Sequence, residues 1–186
     1  MTMTPEQAPS PATTDEEVQQ WVGVELDAGL GDIACEQGYI THWCEAAGDA
    51  NPLYWDPQVA AELSGGPTAP PTMLSVWMRP LMFNPTRQDQ IRPLELHFLL
   101  KDATGLDKGI VASNEITFHD PVRPGDRVRT VQSVQSIGPV KTIRLGTGRF
   151  WTIAVTYTTE DDRLVGVETY DFFCYDQTGK DREEGS

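Results

Sequence analysis

The second half of the chain contains five segments rich in β-branched and aromatic residues, and this pattern limits the fold more than any other feature. The segments read LELHFLL, IVASNEITFHD, DRVRTVQSVQSI, RFWTIAVTYTT and RLVGVETYDFFCY. Short stretches containing Gly, Asp or Pro separate them, which is typical of strands joined by tight turns. In the fourth segment, large apolar residues alternate with smaller or polar ones, at Trp151, Ile153, Val155 and Tyr157. These features predict an antiparallel sheet with one face buried.

The first half of the chain has apolar residues at helical spacing instead. Segments 15–26 and 33–47 both predict a helix, and Gly48 is well placed to end the second one. A shorter helix is predicted in DPQVAAELSGG, where two glycines follow the helical run. The next segment, PTAPP, is predicted to be extended because each proline disfavours helix in the residue before it.

The most apolar helical segment lies at about residues 72–83 and reads TMLSVWMRPLMF. Its large apolar residues cover so much of the helix surface that a sheet should bury it. Helices followed by an antiparallel sheet predict an α+β fold with one buried central helix.

A chain of 186 residues has room for one domain with a substantial core. We place this domain at residues 16–176. Residues 1–15 are rich in Pro, Thr and Ser and lack large apolar groups, so they are predicted to be a disordered tail. Residues 177–186 are predicted to be a flexible C-terminal tail.

The net charge of -14 argues against a nucleic-acid-binding protein and against attraction to an anionic membrane surface. No apolar run approaches the roughly 18–20 residues that a transmembrane helix needs, and the N-terminus lacks the pattern of a secretory signal. The cysteines are Cys35, Cys44 and Cys174, and the histidines are His42, His97 and His119. An odd number of cysteines without a CxxC pattern, and no metal-binding spacing, predict neither disulfides nor a metal site. We therefore expect a reduced, cytoplasmic protein.

The clearest candidate site lies in residues 43–60, which read WCEAAGDANPLYWDPQVA. Short polar groups in its GDANPLY centre stand between a helical run and a turn marked by proline, which indicates a site rather than an ordinary surface. The alternative is that Asp49 only stabilises the turn, through the hydrogen bond that an aspartate side chain makes to nearby backbone.

Several motifs together resemble a known family. AAGDANPLYWD, the APPTML segment before the central helix, and HDPVRPGDRV are similar to MaoC-like dehydratases and (R)-specific enoyl-CoA hydratases, above all to their dehydratase-type N-terminal domain. The resemblance covers about residues 20–175. It implies the hot-dog fold, in which an antiparallel sheet wraps around a central helix.

The resemblance also implies a reaction, the reversible addition of water across the 2,3-double bond of an acyl thioester on coenzyme A or acyl carrier protein. The family motif is Asp-x-Asn-x-x-His, in which the acid and the imidazole hold the water and move its protons. Asp49 and Asn51 match this motif, but Tyr54 stands in place of the histidine. A backbone N–H at the start of the central helix polarises the thioester carbonyl. Here it would be that of Thr72, where a glycine is usual.

Tyr54 is a poor substitute for a histidine, because a phenol with a pKa near ~10 moves protons less readily at neutral pH than an imidazole near ~6.5. Its alternative role is that of a packing aromatic. The resemblance further implies basic contacts to a carrier phosphate, for which Arg123, Arg127 and Lys141 are the candidates. Ordinary solvated strand faces are the alternative there. The histidines are interpreted as structural, and the GTG at residues 146–148 as a bulge or a close approach of strands.

Two functional hypotheses follow. In the first, the chain is a non-catalytic or half-site subunit that pairs with a catalytic MaoC-like subunit and shapes the pocket for a bulky or long acyl chain, such as a fatty or steroid side chain. In the second, it is a self-sufficient (R)-specific enoyl-CoA hydratase homodimer that uses Asp49. Neither hypothesis needs a cofactor beyond the coenzyme A or acyl carrier protein that carries the acyl group. The missing histidine favours the first hypothesis, and a thioesterase-type hot-dog protein is a third, weaker alternative.

Overall fold

The structure is a computed structural model that describes residues 2–3, 12, 14–79, 81, 83, 85 and 92–176. The helices are α1 (Asp15–Gln19), α2 (Gln37–Ala47), α3 (Pro52–Trp55), α4 (Pro57–Ser64), α5 (Leu74–Trp77) and α6 (Glu95–Thr104), with a 3₁₀ turn at Pro71–Met73 before α5. The strands are β1 (Thr2–Met3), β2 (Glu25–Leu30), β3 (Lys108–Phe118), β4 (Val128–Ile137), β5 (Lys141–Ile143), β6 (Gly146–Thr159) and β7 (Leu164–Asp176). The α+β fold is confirmed.

The strands form one sheet in the order β1-β2-β4-β6-β7-β3, and β5 pairs with β6 outside this path. All neighbouring strands are antiparallel except β1 and β2, which are parallel. The long strands β3, β4, β6 and β7 confirm four of the five predicted β segments. In β6 the predicted alternation is also confirmed, since four alternate side chains are buried, namely Trp151, Ile153, Val155 and Tyr157.

The buried face of the sheet packs against helices in two core clusters. The first cluster joins α6 to β2, β4, β6 and β7. The second joins α2 and α5 to β4, β6 and β7. Leu94 and Tyr170 pack against both clusters, so they mark the boundary between them.

The prediction of a strand at LELHFLL is wrong, because these residues belong mostly to helix α6. Leu96, Leu100 and Ala103 lie three and four residues apart and are buried on one side of the helix. Gly105 ends the helix in the left-handed conformation, with φ of 70°. The short segment was ambiguous because an apolar run of this length fits a strand or a helix.

The predicted central helix at about residues 72–83 is shorter than expected. It consists of the 3₁₀ turn and α5, which ends at Trp77. Pro80 follows in the sequence and disfavours helical backbone just before it. Leu81 is exposed, and Met82 lies outside the described residues. The buried helical layer is therefore divided between α5 and α6.

The predicted helix over residues 15–26 is also too long. Helix α1 begins with a capping box between Thr14 and Glu17 but ends at Gln19. Gly23 then takes a left-handed backbone, with φ of 83°, and the chain continues as β2. Leu26 is buried as a residue of strand β2 and not of a helix. The predictions of a helix ending at Gly48 and of a short helix before two glycines are confirmed by α2 and α4, although α2 begins at Gln37.

The interpretation of the GTG segment as a close approach of strands is confirmed at Gly148, where a Cβ would overlap the carbonyl oxygen of Cys174 on β7. In the predicted N-terminal tail, β1 pairs with β2 and the Ala12 N–H donates to the Ala103 carbonyl at 2.8 Å. Most other residues of 1–15, and all of the predicted tail at 177–186, lie outside the described residues, so these boundaries stay a prediction. Among the described helices, none has the length and apolar character needed to cross a membrane.

Candidate active site

The GDANPLY segment is a compact turn that joins α2 to α3. Gly48 ends α2 in the left-handed conformation, and the N–H of Asp49 donates to the Cys44 carbonyl at 2.8 Å. The N–H of Asn51 donates to Oδ1 of Asp49 at 2.9 Å, and the N–H of Leu53 donates to Oδ1 of Asn51 at 3.1 Å. Asp49 and Asn51 therefore each accept a backbone hydrogen bond within the turn through a side-chain oxygen. For Asp49 this is the role that the alternative interpretation predicted.

Asp49 is half-buried and lines an open cavity of about 630 Å³ that residues of α2, α3 and the start of α4 also line. Trp55 also lines this cavity, and its indole N–H donates to the carbonyl of Asp49 at 2.8 Å. The other acidic residues that line it are Glu45 and Asp56. An acidic wall of this kind disfavours the phosphates of coenzyme A.

Tyr54 is half-buried and packs against the second core cluster. Burial raises the pKa of its phenol, and the charges of Asp49 and Cys44 raise it further. The hydroxyl therefore stays protonated at neutral pH and does not accept a proton from water. Asp49 therefore acts on Tyr54 electrostatically, but Tyr54 does not line the cavity at Asp49, and its pKa moves away from the range of an acid–base catalyst.

Thr72 lies exposed in the 3₁₀ turn that begins the central helical layer. A small cavity of about 100 Å³ lies at this turn and is lined by Pro71, Leu74 and His119, among others. It shares no lining residue with the cavity at Asp49. The role of the Thr72 N–H as a donor to a thioester carbonyl stays a prediction.

The predicted phosphate-binding residues have structural partners. The Arg123 guanidinium donates to three backbone carbonyls at the end of α4 and just beyond it, those of Ser64, Gly66 and Pro67, at 2.6, 3.3 and 3.4 Å. Arg127 donates to the Gly31 carbonyl at 2.9 Å and lies 3.7 Å from a carboxylate oxygen of Glu160. The Lys141 ammonium lies 5.8 Å from the centre of the Phe150 ring. Phosphate contact by these three residues stays a prediction.

His97 was expected on a strand but lies buried on α6. The indole N–H of Trp151 donates to its Nδ1 at 3.2 Å, and its ring lies 3.9 Å from the Phe172 ring centre. Burial, with a smaller effect from Lys101, lowers the pKa of His97 to about 4. His97 is therefore a neutral core residue at physiological pH, in agreement with its interpretation as structural.

Sequence reasoning missed a buried carboxylate, Glu168 on β7. It is 4% exposed, and it accepts hydrogen bonds from the Tyr157 hydroxyl at 2.6 Å and from Nδ2 of Asn114 at 3.0 Å. Tyr170 also makes a side-chain hydrogen bond to Glu168. Burial and the contact with Glu168 raise the pKa of both tyrosines. The alternation along β7 could have indicated this burial, because Glu168 is four residues from the buried Phe172 and so faces the same side of the sheet.

No group of three or more His, Cys, Asp or Glu side chains in the described part of the chain is placed to hold a metal ion. The three cysteines are buried and free.

The antiparallel sheet over two helical segments and the degenerate hydratase motif together define a MaoC-like hot-dog domain of the dehydratase type. The chain belongs to the family described as "FAS1-like, dehydratase domain region", whose model matches residues 20–167. It is 31% identical over 160 residues to a probable enoyl-CoA hydratase alpha subunit of Thermomonospora curvata, covering 84% of this chain and 50% of that protein. It is 34% identical over 130 residues to the 3-oxo-4,17-pregnadiene-20-carboxyl-CoA hydratase alpha subunit of Mycobacterium tuberculosis, covering 68% of this chain and 40% of that protein.

The chain therefore spans half or less of the length of these curated relatives. Among solved structures, the ChsH1-ChsH2 complex from Mycobacterium tuberculosis is similar with a TM-score of 0.66 and 27% identity, over 79% of this chain and 82% of that one. A MaoC-like dehydratase from Rhodospirillum rubrum matches with a TM-score of 0.60 and 21% identity, over 84% and 93% of the two chains. The second likeness shows the fold alone, and it confirms the prediction of a hot-dog fold.

Proposed function

We propose that this chain is a hot-dog subunit of a heteromeric enoyl-thioester hydratase, and that a catalytic MaoC-like partner subunit performs the proton transfers. The substrate is a 2-enoyl thioester of coenzyme A, and the product is the 3-hydroxyacyl thioester. One observation carries the proposal: Tyr54, whose pKa burial and the charge of Asp49 raise, occupies the position where the family motif has a histidine.

The chemistry of hydration explains why the replacement of the histidine matters. Water must lose a proton as its oxygen attacks C3, and C2 must gain one, so an acid and a base that exchange protons near neutral pH are needed. A protonated phenol cannot take up a proton, so Asp49 lacks the neighbouring imidazole with which the family motif exchanges protons. The motif in this chain keeps the backbone turn of a hydratase site without its proton-transfer pair.

Two relatives support a heteromeric assembly, because both are named alpha subunits of hydratases and one of them acts on a steroid-derived thioester by its name. The similar ChsH1-ChsH2 structure is itself a complex of two different proteins. We extend this assembly to the present chain, together with an acyl group that is bulky or long.

The position of β3 at the edge of the sheet formed by the described strands supports pairing through this strand. This strand has 11 residues and hydrogen bonds to β7 on one side. Almost all of its residues are exposed, including Ile110, Val111 and Phe118 at 41%, 53% and 45%. A long exposed edge strand with large apolar side chains is normally covered by a partner. We assign this edge to the catalytic subunit, with the acyl thioester bound between the two subunits.

The test is a reconstitution assay. The chain is purified alone and together with any MaoC-like protein encoded beside it, and the loss of enoyl absorbance of a 2-enoyl-CoA is measured. The mixture should hydrate the substrate and co-elute as one complex, whereas the chain alone should show no turnover. Robust turnover by the chain alone, abolished by Asp49→Ala, would instead establish the self-sufficient hydratase. Release of free thiol without loss of the enoyl group would indicate a thioesterase.

A further inference from the structure

A cavity of about 400 Å³ lies between α6 and the start of β3, and it shares no lining residue with the cavities at Asp49 and at the 3₁₀ turn. Its apolar walls come from the turn before α6, from α6 and from two strands, namely Leu94, Phe98, Ile110, Val111 and Phe172. Pockets that enclose a whole small-molecule ligand measure roughly 300–1,000 Å³. This cavity is therefore large enough for a small ligand with an apolar body.

Two of the lining residues have polar side chains, His97 and Lys101, and the others are apolar residues, a proline and a glycine. His97 and Lys101 are four residues apart on α6, so they lie next to each other on one face of the helix. His97 is 8% exposed, and its ring centre lies 3.9 Å from that of Phe172. The Lys101 ammonium lies 5.9 Å from the centre of the Phe98 ring. Both polar groups are therefore set among the apolar walls.

A hydrogen bond from Trp151 fixes the position of the proton on the His97 imidazole. An indole N–H can only donate, and that of Trp151 donates to Nδ1 of His97. Burial lowers the pKa of the imidazole to about 4, so the ring is neutral and carries its one proton on Nε2. Nε2 lies near Gly109, which lines the cavity, because a Cβ on this glycine would be 3.8 Å from it. Nε2 makes no hydrogen bond with the residues that the structure describes, so this side chain, more than nine-tenths buried, offers a free donor to the cavity.

The charge that acts at this cavity is positive, although the chain has a net charge of -14. After burial, Lys101 is the group that lowers the pKa of His97 further. Burial raises the pKa of the neighbouring Cys174 thiol, and Lys101 opposes this rise. Asp102, the acid next to Lys101 in sequence, lies 2.9 Å from Arg92 and does not line the cavity. No carboxylate among the described residues forms an ion pair with Lys101, so its ammonium is available to a ligand.

We propose that this cavity binds a small monocarboxylic acid with an apolar or aromatic body. One carboxylate oxygen accepts from the Lys101 ammonium and the other from the Nε2–H of His97, while the body packs against the apolar walls. A phosphate brings up to two charges and three acceptor oxygens, more than one ammonium and one neutral donor can satisfy. A neutral amide or ketone leaves the ammonium without a counter-charge. The inference goes beyond the proposed hydratase function and does not depend on it.

The first experiment titrates the full chain with phenylacetate, phenylacetamide and acetate by isothermal titration calorimetry. Phenylacetate should bind about 10-fold more tightly than phenylacetamide, because hydrogen bonds to a charged group are stronger than neutral ones. Acetate has no apolar body and should bind at least about 10-fold more weakly than phenylacetate. The chain is titrated without a partner subunit because Ile110 and Val111, which we assign to the subunit contact, are exposed in it. Equal affinity for phenylacetate and phenylacetamide, or no binding of phenylacetate, would overturn the inference.

Variants of Lys101 test whether its charge selects the acid. Lys101→Met removes the charge and keeps an apolar stem, so it should weaken phenylacetate binding about 10-fold and leave phenylacetamide binding within about twofold. Lys101→Arg keeps the charge and should keep the preference for the acid. Lys108→Met is the matched control, since Lys108 lies 3.3 Å from Asp107 and does not line the cavity, and it should bind phenylacetate as wild type does. Equal weakening by Lys101→Met and Lys108→Met would show unspecific attraction and reject the site.

The side-chain ¹⁵N signals of the histidines show whether His97 takes part. In the chain without ligand, His97 should carry its proton on Nε2, and saturating phenylacetate should shift the Nε2 signal. His42 and His119 are exposed and do not line the cavity, so their signals should stay in place and serve as internal references. An unchanged His97 signal during saturable binding would place the acid elsewhere and contradict the inference. None of these measurements uses hydration of an enoyl-CoA, so failure of this inference is distinguishable from failure of the hydratase proposal.

Discussion

Replacing Tyr157 by phenylalanine should destabilise the protein through one lost hydrogen bond. The Tyr157 side chain is 1% exposed, and its hydroxyl donates to Glu168 at 2.6 Å. Phenylalanine keeps the ring and its packing, so the change isolates the hydroxyl. A hydrogen bond to a charged group contributes about 1.5–3 kcal/mol, and a buried partner left without its donor is costly. We expect the free energy of unfolding to fall by about 2 kcal/mol, a large share of the 5–15 kcal/mol that is typical of a domain.

Urea unfolding followed by tryptophan fluorescence measures this loss. The slope of the free energy against urea should not change, because both proteins bury the same surface. Tyr39→Phe, at an exposed residue, should stay within about 0.5 kcal/mol of wild type. Combining Tyr157→Phe with Glu168→Gln should cost less than the sum of the single changes, since both alter the same contact. If Tyr157→Phe alone stays within about 0.5 kcal/mol of wild type, Glu168 does not depend on this hydroxyl and the argument is refuted.

Three further predictions concern stability and ligand contact. Gly148→Ala should destabilise the domain by more than about 2 kcal/mol because its Cβ would overlap β7, whereas Gly38→Ala, with open space in α2, should stabilise it by about 0.5 kcal/mol in the same urea assay. Burial lowers the pKa of His97 from 6.5 to about 4, so the unfolded chain binds more protons than the folded chain between these values, and stability should fall as pH drops through this window. His97→Gln should flatten this pH dependence, whereas His42→Gln, at an exposed residue, should leave it unchanged. Arg123→Ala should lower the melting temperature by removing hydrogen bonds to three backbone carbonyls. If Arg123 has only this structural role, isothermal titration calorimetry should show the same CoA affinity for the folded variant as for wild type.

The sheet could be predicted from the sequence because a period of two leaves few alternatives. β6 shows this well, since the alternation at Trp151 and Ile153 matches the buried face of the strand. The segment at α6 could not be assigned in the same way, because LELHFLL is too short and too apolar for periodicity to separate helix from strand. The length of the central helix was missed although Pro80 marks its end, because the apolar spacing continues beyond the proline to Leu81.

The candidate site was predictable to a lesser extent. The turn chemistry of Asp49 and Asn51 follows from residue type, and the structure shows both hydrogen bonds. The partners of Arg123 lie 56, 57 and 59 residues away in sequence, and no local pattern reveals them. Glu168 was missed because a single acid in a strand is normally placed on the wet face, and only its neighbours show that it is buried.

The central claim is that catalysis takes place in another subunit, and Asp49→Asn tests it most directly. Asparagine keeps the side-chain oxygen that accepts the N–H of Asn51, so the turn should be preserved while the charge is removed. In the reconstituted complex, kcat for hydration of a 2-enoyl-CoA should stay within about twofold of wild type, whereas the same change at the partner's catalytic aspartate should abolish turnover. A fall of about 100-fold or more in kcat from Asp49→Asn alone, the size expected when an acid–base group is removed, would show that this chain carries the catalytic acid.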